Sequence, residues 1–152
     1  MNANRKALNA YGSASLEHQL ESASPHRLVV MLFDGVIKSI NAAKFQMGQG
    51  NIAEKGKSIS KAVAIIEEGL RLSLDKTAGG ELAENLDALY EYAAYQLLMA
   101  NMKNDKLILD QILALMNDLR ESWLSIDPVL GAANTTQVDS PVVAGVLNYG
   151  RI

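Results

Sequence analysis

The stretch SPHRLVVMLFDGVIKSINAAKFQMGQGN, residues 24–51, contains the start, the apolar face and the end of one long helix. Ser24 is a favoured N-cap, and Pro25 is tolerated at the first helical position, where its missing N–H would have no partner. Gly48-Gln49-Gly50-Asn51 predicts the end, because glycine readily adopts the left-handed conformation at a helix C-terminus. Apolar residues between these signals recur in steps of three and four, which predicts a buried face: Leu28, Leu32, Val36, Ile40, Ala43 and Met47.

The same spacing continues in three further segments. It predicts helices over 52–75, from about residue 81 to the break at 103–105, and from there to Asp127. Pro128 ends the last helix, since proline cannot extend a helix and disfavours the helical conformation in the residue before it. The predicted core residues are Ile59, Val63, Ile66, Leu70 and Leu74 in the second helix, Leu82, Leu86, Leu89, Ala93, Leu97 and Ala100 in the third, and Ile108, Ile112, Leu115, Leu119, Trp123 and Ile126 in the fourth.

Short connections determine how these helices are arranged. Each helix of ~20–24 residues would be ~30–36 Å long, and short loops make consecutive helices antiparallel neighbours. We therefore predict an all-α fold, an antiparallel up-down four-helix bundle over residues 24–127. Residues 1–23 are predicted to form a mobile N-terminal arm with a short cap helix, and residues 128–152 a flexible C-terminal tail with one apolar patch.

The composition excludes several classes of function. The chain has 152 residues, 49% of them hydrophobic and 20% charged, which fits one globular domain. It has no cysteine, so disulfides and thiol chemistry are excluded. The formal net charge of −3 has the wrong sign for a nucleic-acid-binding protein. Without a signal peptide or a run of about 18 apolar residues, we expect no membrane span and a cytoplasmic location.

The sequence contains no recognisable catalytic or metal-binding motif. His18 and His26 belong to no metal-ligating pattern, and we expect both to be solvated surface residues. Glu67 and Glu68 are adjacent on a helix, so their side chains point ~100° apart and do not converge on one atom. Gly79-Gly80-Glu81 lacks a phosphate-binding fingerprint and is expected to be a turn between helices. We therefore predict a protein that is not an enzyme, with no catalytic residue, cofactor or metal.

The helices carry more apolar residues than a single buried face needs. Either these second apolar rows widen the core, or some of them line exposed grooves that bind a partner. Methionine suits a groove that must adapt, and an amphipathic helix laid in a groove is a recurring mode of recognition. We also expect the N-terminal arm to cover such a groove until the partner binds. The second rows are Val29, Phe33 and Ile37; Ile65 and Leu72; Tyr92, Tyr95, Leu98, Met99 and Met102; and Leu109, Leu113 and Met116.

A series of short motifs resembles the FliS family over about residues 10–127. Each motif is weak, but their order and spacing together are specific. They are Ala10-Tyr11, Ser22-Ala23-Ser24-Pro25, the run from Leu28 to Gly35, Ser60-Lys61-Ala62 with Ile65-Ile66, Leu74-Asp75 with Gly79-Gly80-Glu81, Leu89-Tyr90-Glu91-Tyr92, Ala100-Asn101 with Asn104-Asp105, and Trp123.

The resemblance implies a cytoplasmic chaperone of the flagellar type III export system. Such a protein binds the disordered C-terminal region of flagellin in hydrophobic grooves, prevents premature polymerisation and assists delivery to the export gate. By position, Tyr11 falls in the N-terminal motif that the family places at the flagellin-binding region. Tyr90, Tyr92 and Asn101 fall in the third-helix motif, where binding and packing are both open.

Two further expectations concern partners. An alternative to the chaperone is a self-associating structural or adaptor bundle, in which the second apolar rows form a homodimer interface. The tail is longer than is usual for the family, and its Leu147-Asn148-Tyr149-Gly150 is similar to Leu8-Asn9-Ala10-Tyr11-Gly12. Either this likeness is chance, or both segments bind the same groove. The residues predicted to bind a partner are Leu8, Tyr11, Val29, Phe33, Ile37, Ile65, Leu72, Met99, Asn101 and Met102.

Overall fold

A computed structural model describes residues 24–125 of the chain, and the regular structure in this range is helical throughout. The predictions for the arm, the cap helix, Ile126 and the tail lie outside the described residues. Helix α1 spans Pro25–Gly48, α2 spans Ile52–Ile65 and continues through a π-helical turn at Ile66–Leu70, α3 spans Lys76–Lys103, and α4 spans Lys106–Leu124.

The residues that begin each helix act through their side chains. Ser24 Oγ accepts a hydrogen bond from the Arg27 N–H at 3.1 Å, as the sequence predicts for an N-cap. Asn51, Asp75 and Asp105 cap α2, α3 and α4 in the same way. These caps satisfy N–H groups that lack a partner in the first turn of a helix. The helix starts are therefore encoded locally.

Contacts at both ends of the bundle show that α1 and α4 are antiparallel. At one end, His26 Nε2 lies 2.8 Å from the carbonyl oxygen of Trp123. At the other end, Lys44 and Asp110 form an ion pair at 2.6 Å. Helix α2 packs against α1 and α3, and α3 packs against α2 and α4. The predicted antiparallel up-down bundle is confirmed.

His26 differs from its prediction as a solvated surface residue. Its ring is half-buried and stacks on the Trp123 ring at a centroid distance of 5.3 Å and an interplanar angle of 13°. The Trp123 indole N–H also donates to the His26 carbonyl oxygen at 2.8 Å. The periodicity could not show this, because the partner is 97 residues away in the chain.

Some of the most buried residues are next in sequence to the predicted core residues rather than the predicted residues themselves. Each helix has neighbours on two sides, so the buried arc is wider than one row and is centred between rows. Predicted core residues at the edge of this arc are only half-buried, among them Leu28, Leu32, Met47, Val63, Leu74, Leu82, Leu89, Ile108, Leu115 and Leu119. The most buried large side chains are Tyr90, Phe33, Ile40, Ile59, Ile66, Leu70, Leu97, Leu109, Met116, Val30 and Val36.

The α2–α3 connection contains two irregularities that the apolar spacing does not predict. In the π-helical turn, the Arg71 N–H bonds to the Ile66 carbonyl at 2.9 Å, five residues back. Gly80 has φ 56° and ψ −132°, a conformation open mainly to glycine. Regular helix in α3 therefore begins at Glu81, as predicted, after a single separate turn.

Candidate partner-binding surface on the third helix

The second apolar rows separate into core and surface. Phe33 is 0% exposed and belongs to the core. Val29, Ile37 and Ile65 are half-buried and pack against that core. The row in α1 therefore widens the core, and the expectation that Phe33 lines an exposed groove is corrected.

Helix α3 keeps its second row at the surface. Tyr92, Tyr95, Leu98 and Met102 are 51%, 57%, 49% and 71% exposed, and Met99 beside them is half-buried. At ~100° per residue these five side chains fall within an arc of about 120°, over a length of roughly 15 Å. We call them the α3 stripe. A contiguous exposed apolar patch of this kind usually marks an interaction site.

Neighbouring tyrosines of the third-helix motif have different environments. Tyr90 is 0% exposed, and its hydroxyl has no hydrogen-bond partner within residues 24–125. Tyr92 belongs to the exposed α3 stripe. Alanines at positions 93, 94 and 100 are buried on the inner face, which permits close packing of α3 on its neighbours. The aromatic surface is therefore on the outer face.

A buried lysine holds the C-terminal end of α3. Lys55 of α2 is 2% exposed, and its ammonium group donates to the Asn101 carbonyl at 3.1 Å and to Asn104 Oδ1 at 2.9 Å. Asn104 has φ 55° and caps the helix in the left-handed conformation. A cation at a helix C-terminus is favoured by the helix dipole. Asn101 thus joins α3 to α2 through its backbone carbonyl, a packing role.

An ion-pair network holds the other end of α3 against α2. Arg71 donates to both carboxylate oxygens of Asp87, at 2.7 and 3.2 Å, and to Glu67 at 2.8 Å. Lys76 donates to Asp87 at 3.0 Å. The hydrogen bond from Arg71 is the main reason that the pKa of Asp87 falls to about 2, and burial opposes it. The same pairing raises the pKa of Arg71.

Leu72 lies beside this network rather than on the α3 stripe. It is 76% exposed and borders an open cleft of about 360 Å³, which Leu74 and the charged groups of the network also line. The predicted partner-binding residues are therefore not one surface. Met99 and Met102 share the α3 stripe, and Leu8 and Tyr11 lie outside the described residues.

The sequence marks three residues of the α3 stripe as surplus apolar residues but does not assign them to the site. Tyr92, Tyr95 and Leu98 recur every three residues, and this spacing was the available signal. Nothing in the sequence distinguishes Lys55 from a solvated lysine, because its partners come from a different helix.

Two other kinds of site are absent from the described range. Between residues 24 and 125, no group of His, Asp and Glu side chains could hold a metal ion. Over the same residues, no helix combines the length and the apolar character that a membrane span requires.

Comparison with known proteins identifies the family. A family model described as "Flagellar protein FliS" matches residues 7–129. The flagellar secretion chaperone FliS of Salmonella typhimurium (strain LT2) is 40% identical over 121 residues, 80% of this chain and 90% of that protein. The protein of the same name in Escherichia coli (strain K12) is 43% identical over 118 residues, 78% of this chain and 87% of that protein.

More distant relatives carry the same description. The flagellar secretion chaperone FliS of Bacillus subtilis (strain 168) is 30% identical over 111 residues, 73% of this chain and 81% of that protein. The prediction of a protein that is not an enzyme is thereby confirmed, and the chain belongs to the FliS family of flagellar secretion chaperones.

Proposed function

We propose that this protein is a cytoplasmic export chaperone that binds the disordered C-terminal region of flagellin. In this role it prevents premature polymerisation and assists delivery to the flagellar type III export apparatus, whose gate components are further partners. Family membership supports the choice of client. The location of binding is inferred from a single observation: the α3 stripe is a contiguous exposed apolar surface on a helix.

The mechanism is folding of the client upon binding. A disordered segment loses several kcal/mol of conformational freedom when it becomes ordered, so it needs apolar contacts that offset this loss. Tyr92 and Tyr95 supply large apolar area with few rotatable bonds. Met99 and Met102 are flexible and adapt to the shape of the bound side chains.

The rest of the bundle supports this surface. Lys55 joins the end of α3 to α2, and Arg71 joins the start of α3 to α2. A binding surface on a helix that is held at both ends is ordered before the client arrives. The entropy lost on binding is then mainly that of the client.

Substitutions on the α3 stripe test the location. Tyr95→Glu and Met102→Glu place a charge among apolar contacts, and each should weaken binding of a flagellin C-terminal fragment by about tenfold or more. Calorimetry measures the affinity, and circular dichroism checks that helicity is unchanged. Gln111→Glu, at an exposed position of α4, is the control with the same new charge. Wild-type affinity in both stripe variants would place the client elsewhere.

Phe33 is unsuitable for this test, although the sequence suggested it. Its side chain is 0% exposed, so a charged replacement would be buried without a partner and would unfold the bundle. Loss of binding in such a variant would report on folding.

Self-association through the same surface is the alternative function. Sedimentation of the protein alone and with the fragment separates the two. A monomer that forms a 1:1 complex supports the chaperone. A dimer that does not bind the fragment would support an adaptor if Tyr95→Glu also dissociates it.

A further inference from the structure

The outer face of α3 carries opposite charges at the two ends of the α3 stripe. Toward the start of the helix, Glu81, Glu84 and Glu91 are exposed and fall within about the same arc as the stripe. Toward its end, the exposed Lys103 and Lys106 flank the turn that leads to α4. The apolar surface therefore runs from an acidic end to a basic end.

These charged groups are available to a partner. Within residues 24–125, Glu81, Glu84 and Lys103 form no ion pair. The Glu91 side chain is 68% exposed and reaches Arg71 only at 3.8 Å. Lys106 is 65% exposed and reaches its own helix at Asp110, also at 3.8 Å. Long, exposed contacts of this kind contribute little and are readily exchanged.

Resting on the proposed function, we propose that the client segment on the α3 stripe is a helix of three to four turns that runs antiparallel to α3. Its first turn carries carboxylates and lies at Lys103 and Lys106. Its last turn carries basic residues and lies toward Glu91 and Glu84. Glu91 and Lys103 are separated by roughly 18 Å along the helix, which sets the length of the bound segment.

The direction follows from two independent preferences that agree only in the antiparallel orientation. A helix is stabilised by acidic residues in its first turn and basic residues in its last turn. The ends of the α3 stripe attract the opposite charges, which orients an approaching partner. A parallel client would have to place basic residues in its first turn, against its own dipole. The ridge of side chains spaced by three and four residues fits the face of another helix.

A labelled peptide tests the direction. The probe is a 14-residue acetylated and amidated peptide with Leu and Met on one face, two Glu in its first turn, two Lys in its last turn and a nitroxide on the side chain of its first residue. It is added to the full chain with labelled Ala and Met methyl groups. We expect the nitroxide to broaden the Met102 methyl signal and to spare that of Ala88, which is exposed near the acidic end. Broadening of Ala88 instead would overturn the proposal.

Charge reversal tests the cause. K103E/K106E should weaken binding of this peptide by about tenfold at low salt, less at high salt. K57E/K61E makes the same change in net charge at exposed positions of α2 and should leave the affinity for this peptide unchanged. Equal effects of the two double variants would overturn the local charge argument.

Failure of the proposed direction and failure of the proposed function give different experimental results. Binding of the flagellin C-terminal fragment to the wild-type chain is measured in parallel. If the fragment binds and the peptide lies in the parallel direction, only the inference about direction fails. If the wild-type chain does not bind the fragment, the proposed function fails.

Discussion

Lys55 has an environment that a lysine rarely occupies, and its replacement gives a direct test of the α2–α3 junction. Lys55→Met keeps the apolar stem but leaves the Asn101 carbonyl and Asn104 Oδ1 without their donor. Asn104 is exposed and can bond to water instead, whereas Asn101 is half-buried. A shielded acceptor without a donor costs about 1–3 kcal/mol, so we expect the free energy of unfolding in urea to fall by about that amount. Lys57→Met is the control, because the Lys57 side chain is 75% exposed. Equal stability of the two variants would show that the ammonium contacts contribute nothing.

Asp87 makes the stability depend on acid pH. Its pKa in the folded protein is about 2, below the ordinary value of 3.8. Because the folded-state pKa is depressed, the stabilisation is complete above about pH 4 and is lost as the pH falls toward 2. When the pH falls from 4.5 to 2.5, the free energy of unfolding of the wild-type chain in urea should therefore decrease by about 1 kcal/mol more than that of Asp87→Asn. This figure includes a reduction for screening of the ion pair by water.

The matched control for this pH dependence is Asp118→Asn. Asp118 is exposed and forms no ion pair among the residues between 24 and 125. Its variant should keep the wild-type slope. If Asp87→Asn also keeps that slope, the Arg71–Asp87 pair is not the origin of the acid sensitivity.

At the scale of elements, Gly69 in the π-helical turn of α2 lies against the Leu32 side chain of α1, which would have to shift to admit a larger residue. A Cβ atom at Gly69 would lie 2.8 Å from Leu32 Cδ2. Gly69→Ala should therefore destabilise the bundle by about 1 kcal/mol, although alanine is the better helix former. Gly48→Ala, where nothing lies within 4 Å of the new Cβ, should be neutral or stabilising.

A double-mutant cycle identifies the cause of that destabilisation. Leu32→Ala removes the side chain that Gly69→Ala would displace, so in this background the second substitution should have little effect on urea unfolding. Additive effects would mean that Gly69 is required for backbone geometry rather than for space.

The helices could be predicted from the sequence because their signals are local. The caps at Ser24 and Asn51 and the break at Gly80 are properties of a few adjacent residues. The centre of the core could not be predicted in the same way. Leu32 and Phe33 both lie in a wide apolar arc of α1, and only the positions of α2 and α4 bring Phe33 to the centre.

The candidate site can be predicted only in part, because the sequence does not show which apolar rows are covered by neighbouring helices. An apolar row looks the same in sequence whether a neighbouring helix covers it or leaves it exposed. The sequence predicts both Met102 and Phe33 in the site, and the structure leaves Met102 exposed but buries Phe33. Exposure of the α3 stripe is a consequence of packing the alanine-rich face of α3 inward.

At the scale of the whole molecule, both terminal segments join the bundle at one place. The reciprocal contacts between His26 and Trp123 bring the start of α1 to the end of α4. Ser24 and Ser125, from which the two terminal segments continue, therefore lie near each other, at the end of the bundle where α3 begins. This shared attachment is relevant to the likeness between residues 8–12 and 147–150.

The C-terminal segment has enough residues to reach the α3 stripe. The 22 residues from Ser125 to Leu147 would span an r.m.s. distance of roughly 26 Å as a random coil. If residues 142–149 occupy the stripe for part of the time, the apparent affinity for a client is the intrinsic affinity multiplied by the fraction of molecules in which the stripe is unoccupied. Deletion of residues 131–152 should then tighten binding of the flagellin C-terminal fragment about two- to fivefold, as measured by calorimetry.

A full-length control distinguishes competition from other effects of shortening the chain. Replacing Val142, Val143, Val146 and Leu147 with serine keeps the length and removes the apolar groups, so it should reproduce the gain from deletion. A gain from deletion alone would indicate steric hindrance by the segment, since serine would still occupy the space. Unchanged affinity in both variants would show that the segment does not bind the client's surface, and that its likeness to residues 8–12 has no role in recognition.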